Sequence, residues 1–242
     1  MARNRLDVVL LQRGLAPTRE KARGLIMAGA VRVADRRIDK PGTLIAEDAV
    51  IQVAAPDPYV GRGGYKLAHA LDRFGVEVAG LTVLDVGAST GGFTDCMLQR
   101  GARRVYAIDV GHGQLDYRLR LDPRVVVMER VNARYPLDLP ELGDLASIDV
   151  SFISATRIIP SVVMSLKPSS RIIVLVKPQF EVGKGRVGKG GVVRDPKLHC
   201  AALSTCINWA INHGLRFENL TPSPIFGDAG NREFLLLLRK AA

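Results

Sequence analysis

The stretch Leu84-Asp-Val-Gly-Ala-Ser-Thr-Gly-Gly-Phe-Thr-Asp95 decides how this chain reads. An apolar run at 83–86 ends in it, and Gly87, Gly91 and Gly92 follow. A short apolar run bounded by glycines is strand-like, and the glycines make a tight turn into a helix predicted to start near Gly92. Glycine also lets a backbone approach a bound molecule closely. About twenty residues on, Tyr106-Ala-Ile-Asp109 ends the next strand with a carboxylate. An acid at that place can hold the two ribose hydroxyls of an adenine nucleoside.

Outward from this loop, apolar runs at 105–110, 125–128, 145–150, 172–176 and 234–238 alternate with helical stretches. Continuous apolar strands separated by helices predict an α/β fold with a mainly parallel, Rossmann-like sheet covered by helices on both faces. Ligands in such sheets bind beyond the carboxyl ends of the strands. Residues 1–53 read as a separate, small α+β module. Leu6, Val9, Leu10 and Leu15 predict a helix ending near Gly14, and Thr18 is a candidate N-cap for a second helix through Ala28. Short strands at 30–33 and 49–53 follow, joined by a turn-rich stretch. Residues 54–60, with two prolines and a glycine, read as a linker to a larger domain at 61–242.

The charge is +10 at pH 7, with +3 in residues 1–60 and +7 in the remainder. Acidic residues are interspersed throughout, so this is a basic folded surface, and it favours a polyanionic partner. Three scattered cysteines exclude a disulfide framework, and neither they nor the four histidines show metal-ligand spacing. The start has no signal-like apolar core and no run approaches the ~20 residues of a membrane helix, which together predict a cytoplasmic protein without membrane contact.

For the glycine loop the choice lies between NAD and S-adenosylmethionine (SAM). The dinucleotide fingerprint is GxGxxG, and this loop is Gly-x-x-x-Gly-Gly. SAM has no pyrophosphate and carries a cationic amino-acid end that suits an acid such as Asp85. SAM is the preferred reading, although both acids could serve as structural caps. The candidate cofactor contacts are Asp85, Gly87, Ser89, Thr90, Gly91, Gly92, Phe93 and Asp109. Gly183-Lys-Gly-Arg-Val-Gly-Lys-Gly190 imitates a phosphate loop. It lacks the Ser/Thr after Gly-Lys, sits six residues beyond its strand, and is followed by Val-Val-Arg-Asp-Pro, which is not read as a helix start. A basic loop that closes over RNA phosphates fits it better. Cys96 is read as core, not as a nucleophile.

Four polar residues fall at the boundaries of buried elements: Lys66, Asp149, Lys177 and Glu233. In that order they resemble the Lys-Asp-Lys-Glu tetrad of FtsJ-type ribose 2′-O-methyltransferases. The strings Arg62-Gly-Gly-Tyr-Lys-Leu67, Asp149-Val-Ser-Phe-Ile-Ser154, Lys177-Pro-Gln-Phe-Glu181 and Gly190-Gly-Val-Val-Arg-Asp195 are similar to those of the TlyA group of rRNA methyltransferases, once named hemolysins. Residues 1–53 resemble an RNA-binding domain of a small-subunit ribosomal protein. One departure is Gly61, where that family leads one to expect Ser.

The resemblance implies methyl transfer from SAM to a ribose 2′-hydroxyl of ribosomal RNA, at cytidine, without a metal. It gives Lys177 the central role of steering the hydroxyl and accepting its proton, with Asp149 and Glu233 orienting the lysines. Arg3, Arg5, Arg19 and Arg23 in the module, and Lys184, Arg186 and Lys189 in the basic loop, become candidate RNA contacts. Base-amine methyltransferases carry Asn/Asp-Pro-Pro-aromatic where this chain has Asp149-Val-Ser-Phe. A cytolysin would need a membrane-sized apolar segment, and a non-catalytic RNA binder would need a broken tetrad. The sequence sets no oligomeric state.

Overall fold

A computed structural model describes residues 3–54, 57–183 and 185–241. The chain divides into two compact units, 1–58 and 59–242.

In the first unit, β1 (Arg3–Arg5) leads into α1 (Leu6–Gln12) and α2 (Arg19–Met27). Four short strands follow: β2 (Val31–Val33), β3 (Arg36–Ile38), β4 (Leu44–Ala46) and β5 (Ile51–Val53). β1 pairs with β4, and β2 pairs with both β3 and β5, all antiparallel. Leu6, Val9, Leu10, Ala22, Ile26 and Val31 form the core. As the sequence predicts, Thr18 caps α2, its Oγ1 accepting from Lys21 N at 3.1 Å. α1 is shorter than predicted, and β1, β3 and β4 are additional. Strands of three residues, two of them rich in arginine, are too short to show a period.

Asp7, fully buried, is the polar centre of this unit. It accepts from Arg5 Nε at 3.0 Å and from Arg19 Nε at 3.0 Å. The bond from Arg5, helped by Arg19 and opposed by burial, holds its carboxyl down at about 2.

The second unit is the α/β domain. Its elements are α3 (Gly63–Phe74), β6 (Thr82–Val86), α4 (Gly92–Gln99), β7 (Arg104–Asp109), α5 (Tyr117–Arg120), β8 (Val125–Glu129) and β9 (Gly143–Ile148). There follow α6 (Ile159–Met164), β10 (Leu166–Val176), α7 (Pro178–Glu181), α8 (Pro196–Asn212), β11 (Leu215–Pro222) and β12 (Phe234–Lys240). Among the described residues the sheet has seven strands in the order β11-β12-β10-β9-β6-β7-β8. β10, β9, β6, β7 and β8 are parallel; β12 runs antiparallel between β10 and β11.

Strand side chains alternate between two cores, as the pleat requires. Val83, Leu145, Ile173 and Leu237 pack with Leu67 and Leu71 of α3 and Met97 of α4. Leu84, Ala146, Ile172 and Leu236 pack on the opposite face with Val162 of α6 and Cys206 of α8. Both faces are dry, which is why the strands read as unbroken apolar runs. Tyr59 and Val60, placed in the linker by sequence, pack against the first of these cores. Asp195-Pro196, passed over as a helix start, opens α8: the Asp195 carboxylate accepts from Lys197 N at 2.9 Å, and proline occupies the first turn.

Asp7 yields a prediction. Its folded carboxyl lies below the ordinary 3.8, so its stabilisation is complete above about pH 4 and is lost as pH falls toward about 2. Asp7→Ala should destabilise the first unit by roughly 2 kcal/mol, the worth of hydrogen bonds to a charged group. Hydrogen exchange of the α1 and α2 amides in the full chain should speed up accordingly at pH 7. Protection like that of the wild type would show that the two arginines gain nothing from Asp7.

Candidate active site

β6 stops at Val86 because the chain must turn there. Gly87 has φ +88°, and a Cβ on it would lie 2.2 Å from the Asp149 carbonyl oxygen. Gly91 has φ +97°, and its Cβ would collide with Leu119 and Leu115. Gly92 opens α4 against the backbone of Gly61, Gly63 and Gly64 at the start of α3. Close approach of this chain to itself demands these glycines, as the tight turn read from the sequence requires. At residue 61, where Ser was expected, a Cβ would fall 2.9 Å from Thr90 Oγ1, so glycine leaves Thr90 its place.

A cavity of about 600 Å³ lies along this loop, within the range of small-molecule sites. Gly87, Ala88, Ser89, Thr90, Gly92 and Phe93 line one part of it. Lys66, Asp149, Lys177 and Glu233 all line it too, brought from α3, the end of β9, the end of β10 and the start of β12.

The four polar residues form two ion pairs. Lys66 Nζ donates to Glu233 Oε2 at 2.7 Å, with 11% and 4% of the two side chains exposed. Lys177 Nζ lies 2.6 Å from Asp149 Oδ1 and donates to Ser151 Oγ at 3.0 Å. The first contact of Lys177 is close in charge but lies off the hydrogen-bond axis, for Asp149 Oδ1 takes no aligned bond among the described residues.

The two candidate cofactor acids both hold the glycine loop in place. Asp85 is fully buried beneath the loop and absent from the cavity lining. It accepts from Thr94 Oγ1 at 2.6 Å and Ser147 Oγ at 3.0 Å. Burial pushes its carboxyl up to about 6 against those hydroxyl bonds, and the charge of Asp149 pushes the same way. Asp85 braces α4 and β9 from beneath the loop. Asp109, half-buried, accepts from Ser89 N at 2.8 Å and Gly111 N at 2.7 Å. It ties the loop to β7 and, like Asp85, does not line the cavity.

Of the candidate RNA contacts, Arg3 and Arg23 are exposed, and Arg5 and Arg19 each spend a guanidinium edge on Asp7. Arg186 and Lys189 are exposed in the basic loop, whose Gly191 reaches the cavity wall; Lys184 lies outside the described residues. Cys96 is fully buried, and burial raises its thiol to about 11, which suits a core residue.

Sequence reasoning missed several residues. Phe152, 92% exposed with φ +64°, lies 5.2 Å centroid to centroid from Phe180, and both rings line the cavity. The signal was present: each phenylalanine stands three residues beyond a tetrad member, in Asp149-Val-Ser-Phe and Lys177-Pro-Gln-Phe. Glu181 holds the Phe152 loop by accepting from Ser154 Oγ at 2.6 Å and Ala155 N at 2.8 Å. Gln179 Oε1 is buried at the cavity without a partner among the described residues. Buried Asn231 bridges loops, donating to Gly191 O at 2.9 Å and accepting from Val193 N at 2.9 Å.

The chain matches the FtsJ-like methyltransferase family over residues 59–240 and the S4 domain over residues 4–51. It is 51% identical over 240 residues to YqxC of Bacillus subtilis, covering 98% of this chain and 85% of that one. It is 45% identical over 241 residues to the 16S/23S rRNA (cytidine-2′-O)-methyltransferase TlyA of Mycobacterium tuberculosis, covering 98% and 90%. A solved structure from Streptococcus thermophilus, bearing a hemolysin name, superposes with a TM-score of 0.76 at 44% identity over 100% of this chain and 90% of that one.

The loop geometry is open to test through Gly87. Gly87→Ala forces both a positive φ and a clash with the Asp149 backbone, and should cost about 3 kcal/mol. Gly80→Ala supplies the comparison: φ is +76° but nothing lies within 4 Å, so only about 1 kcal/mol of backbone strain is expected. Denaturant unfolding followed by the fluorescence of the single tryptophan, Trp209, measures both. Equal losses would mean that Gly87 and Asp149 are not in contact.

Proposed function

The chain belongs to the FtsJ-like methyltransferase family, carrying an S4 domain ahead of it, and we propose that it transfers the methyl group of SAM to a ribose 2′-hydroxyl of ribosomal RNA, at cytidine. One observation carries this reading. Lys177 Nζ, paired with Asp149 at 2.6 Å, and Lys66, paired with Glu233 at 2.7 Å, face the same cavity as the glycine loop. Against a base-amine methyltransferase stands Asp149-Val-Ser-Phe, in the place of Asn/Asp-Pro-Pro-aromatic. The mycobacterial relative's name specifies this same reaction.

The residues present fit SAM. Its adenosine and amino-acid parts need a cavity with backbone close at hand and donors and acceptors to spare. The loop 87–93 supplies the first, and Gln179 Oε1 is a buried acceptor in want of a donor. Ser89, Thr90, Gly92 and Phe93 would hold the group directly; Asp109 and Asp85 would act through the loop they brace. When bound, SAM supplies an electrophilic methyl whose transfer discharges a sulfonium.

The chain's own work is positioning and proton handling. Ser151 and Asp149 fix Lys177 Nζ as the atom within reach of an entering hydroxyl. Lys177 steers the hydroxyl and accepts its proton as the methyl leaves the sulfonium, and Asp149 balances the charge beside it. Lys66 and Glu233 satisfy each other within the wall, so neither leaves an unpaired charge beside the reacting oxygen. The exposed Phe152 ring, backed by Phe180, offers a face for the base of the target nucleotide.

Residues 1–53 serve in this reading as the RNA reader and 61–242 as the transfer domain. Arg3, Arg23, Arg186 and Lys189 supply phosphate contacts, with Arg5 and Arg19 presented by Asp7. A ribosomal RNA substrate implies a cytoplasmic protein. The hemolysin names among relatives add no second reading, and among the described residues no helix is long and apolar enough to cross a membrane.

Single-turnover transfer from methyl-labelled SAM to ribosomal subunits, followed by digestion to nucleosides, tests the proposal. The wild type should label 2′-O-methylcytidine. Lys177→Ala should slow transfer by about a hundredfold or more while leaving SAM binding intact. Lys177→Arg should fail nearly as badly, since a guanidinium does not give up its proton. Label on a base, or near wild-type rates in both variants, would overturn the reading.

A further inference from the structure

A second cavity of about 330 Å³ adjoins the first, with Ala229 lining both. Its walls include Arg194, Phe226 and Arg232. None of these was singled out by sequence, and none has a part in the tetrad.

The loop 223–231 that carries Phe226 is fastened from several sides. Ser223 Oγ donates to Ile225 O at 2.7 Å, Gly227 N to Asn231 O at 2.9 Å, and Gly230 N to Gly227 O at 2.8 Å. Arg62 donates to Phe226 O at 2.5 Å and to Asp228 Oδ1 at 2.7 Å. The backbone is thus held at both sides of a phenylalanine that nevertheless stays 54% exposed. The Arg232 guanidinium lies 5.4 Å from the centre of its ring. A guanidinium resting on an aromatic face keeps its N–H edges free for an anion. Arg194, exposed across the cavity, adds a second cation. The neighbouring acids are engaged elsewhere: Asp228 with Arg62, Glu233 with Lys66, and Asp195 at the start of α8.

An apolar ring for stacking, two guanidinium groups and a shared boundary with the reacting cavity make a set suited to one occupant. We propose that this second cavity binds the nucleotide next to the one being methylated, its base against Phe226 and its phosphate on Arg232 and Arg194. The inference rests on the 2′-O-methyltransferase reading, and it adds a recognition subsite within the transfer domain itself, independent of the S4 module. Stacking and phosphate contact together account for at least tenfold in affinity at modest salt.

The test is competition against a fluorescent RNA with S-adenosylhomocysteine present, using cytidine and the dinucleoside monophosphates CpA and ApC as competitors. For the wild type, one of the two dinucleotides should compete about tenfold better than cytidine. Arg232→Met and Phe226→Leu should each cut that advantage to about twofold or less while leaving cytidine and S-adenosylhomocysteine affinities unchanged. The unchanged cofactor affinity shows that the fold survives. No dinucleotide advantage in the wild type, or an undiminished one in both variants, would overturn the subsite. A wild-type enzyme that labels a base would sink the ribose reading and leave this comparison standing.

Discussion

The backbone of Gly87 and the carbonyl of Asp149 touch, and the site depends on that contact. The turn after β6 carries the residues that would hold the cofactor; the end of β9 carries the carboxylate that grips Lys177. Because a Cβ at residue 87 would sit 2.2 Å from the Asp149 oxygen, the two halves are set at one distance with no slack. Asp149 N donating to Val86 O at 2.8 Å and Gly87 N donating to Ile108 O at 2.8 Å lock the same junction from either side. Methyl transfer is sensitive to small misplacements of the reacting atoms, so a junction without play is what the chemistry needs.

Beneath that contact lies a charge kept out of water. Asp85 shares its carboxylate between Thr94 of α4 and Ser147 of β9. With its carboxyl raised to about 6, it is held ionised at neutral pH at some cost to stability. Falling pH through about 6 relieves this cost, the opposite of Asp7 in the first unit, whose support weakens only far into acid. The two buried acids thus do different jobs. Asp7 is neutralised by two arginines and presents them, while Asp85 receives only uncharged donors and binds a helix to a strand.

Much of the fold was legible because the parallel strands are dry on both faces. Runs such as Ile-Ile-Val-Leu-Val at 172–176 cannot be anything but interior, and the glycine turn after 86 marks where the sheet opens. β11 was not legible: Leu-Arg-Phe-Glu-Asn-Leu-Thr-Pro is an edge strand whose Glu218 pairs with Arg171 and Arg239, so it reads as a polar loop. The members of the site were legible through their strings, and the acids were expected to orient the lysines, but which acid pairs with which lysine was not legible. Lys66 and Glu233 lie 167 residues apart, and Asp85 reads like a ligand-binding acid until Ser147, 62 residues on, is seen against it. Phe226 and Arg232 escaped notice because cation–aromatic contacts across a loop have no period to detect.

If this chemistry is right, its product is a mark on the ribosome that can be read without the protein in hand. The direct measurement is mass spectrometry of nucleosides from ribosomal RNA of cells with and without this protein, and of cells carrying Lys177→Ala. The account predicts 2′-O-methylcytidine that disappears in the deletion, returns with the wild-type chain and does not return with the variant. An unchanged set of ribose-methylated nucleosides across all three would contradict it.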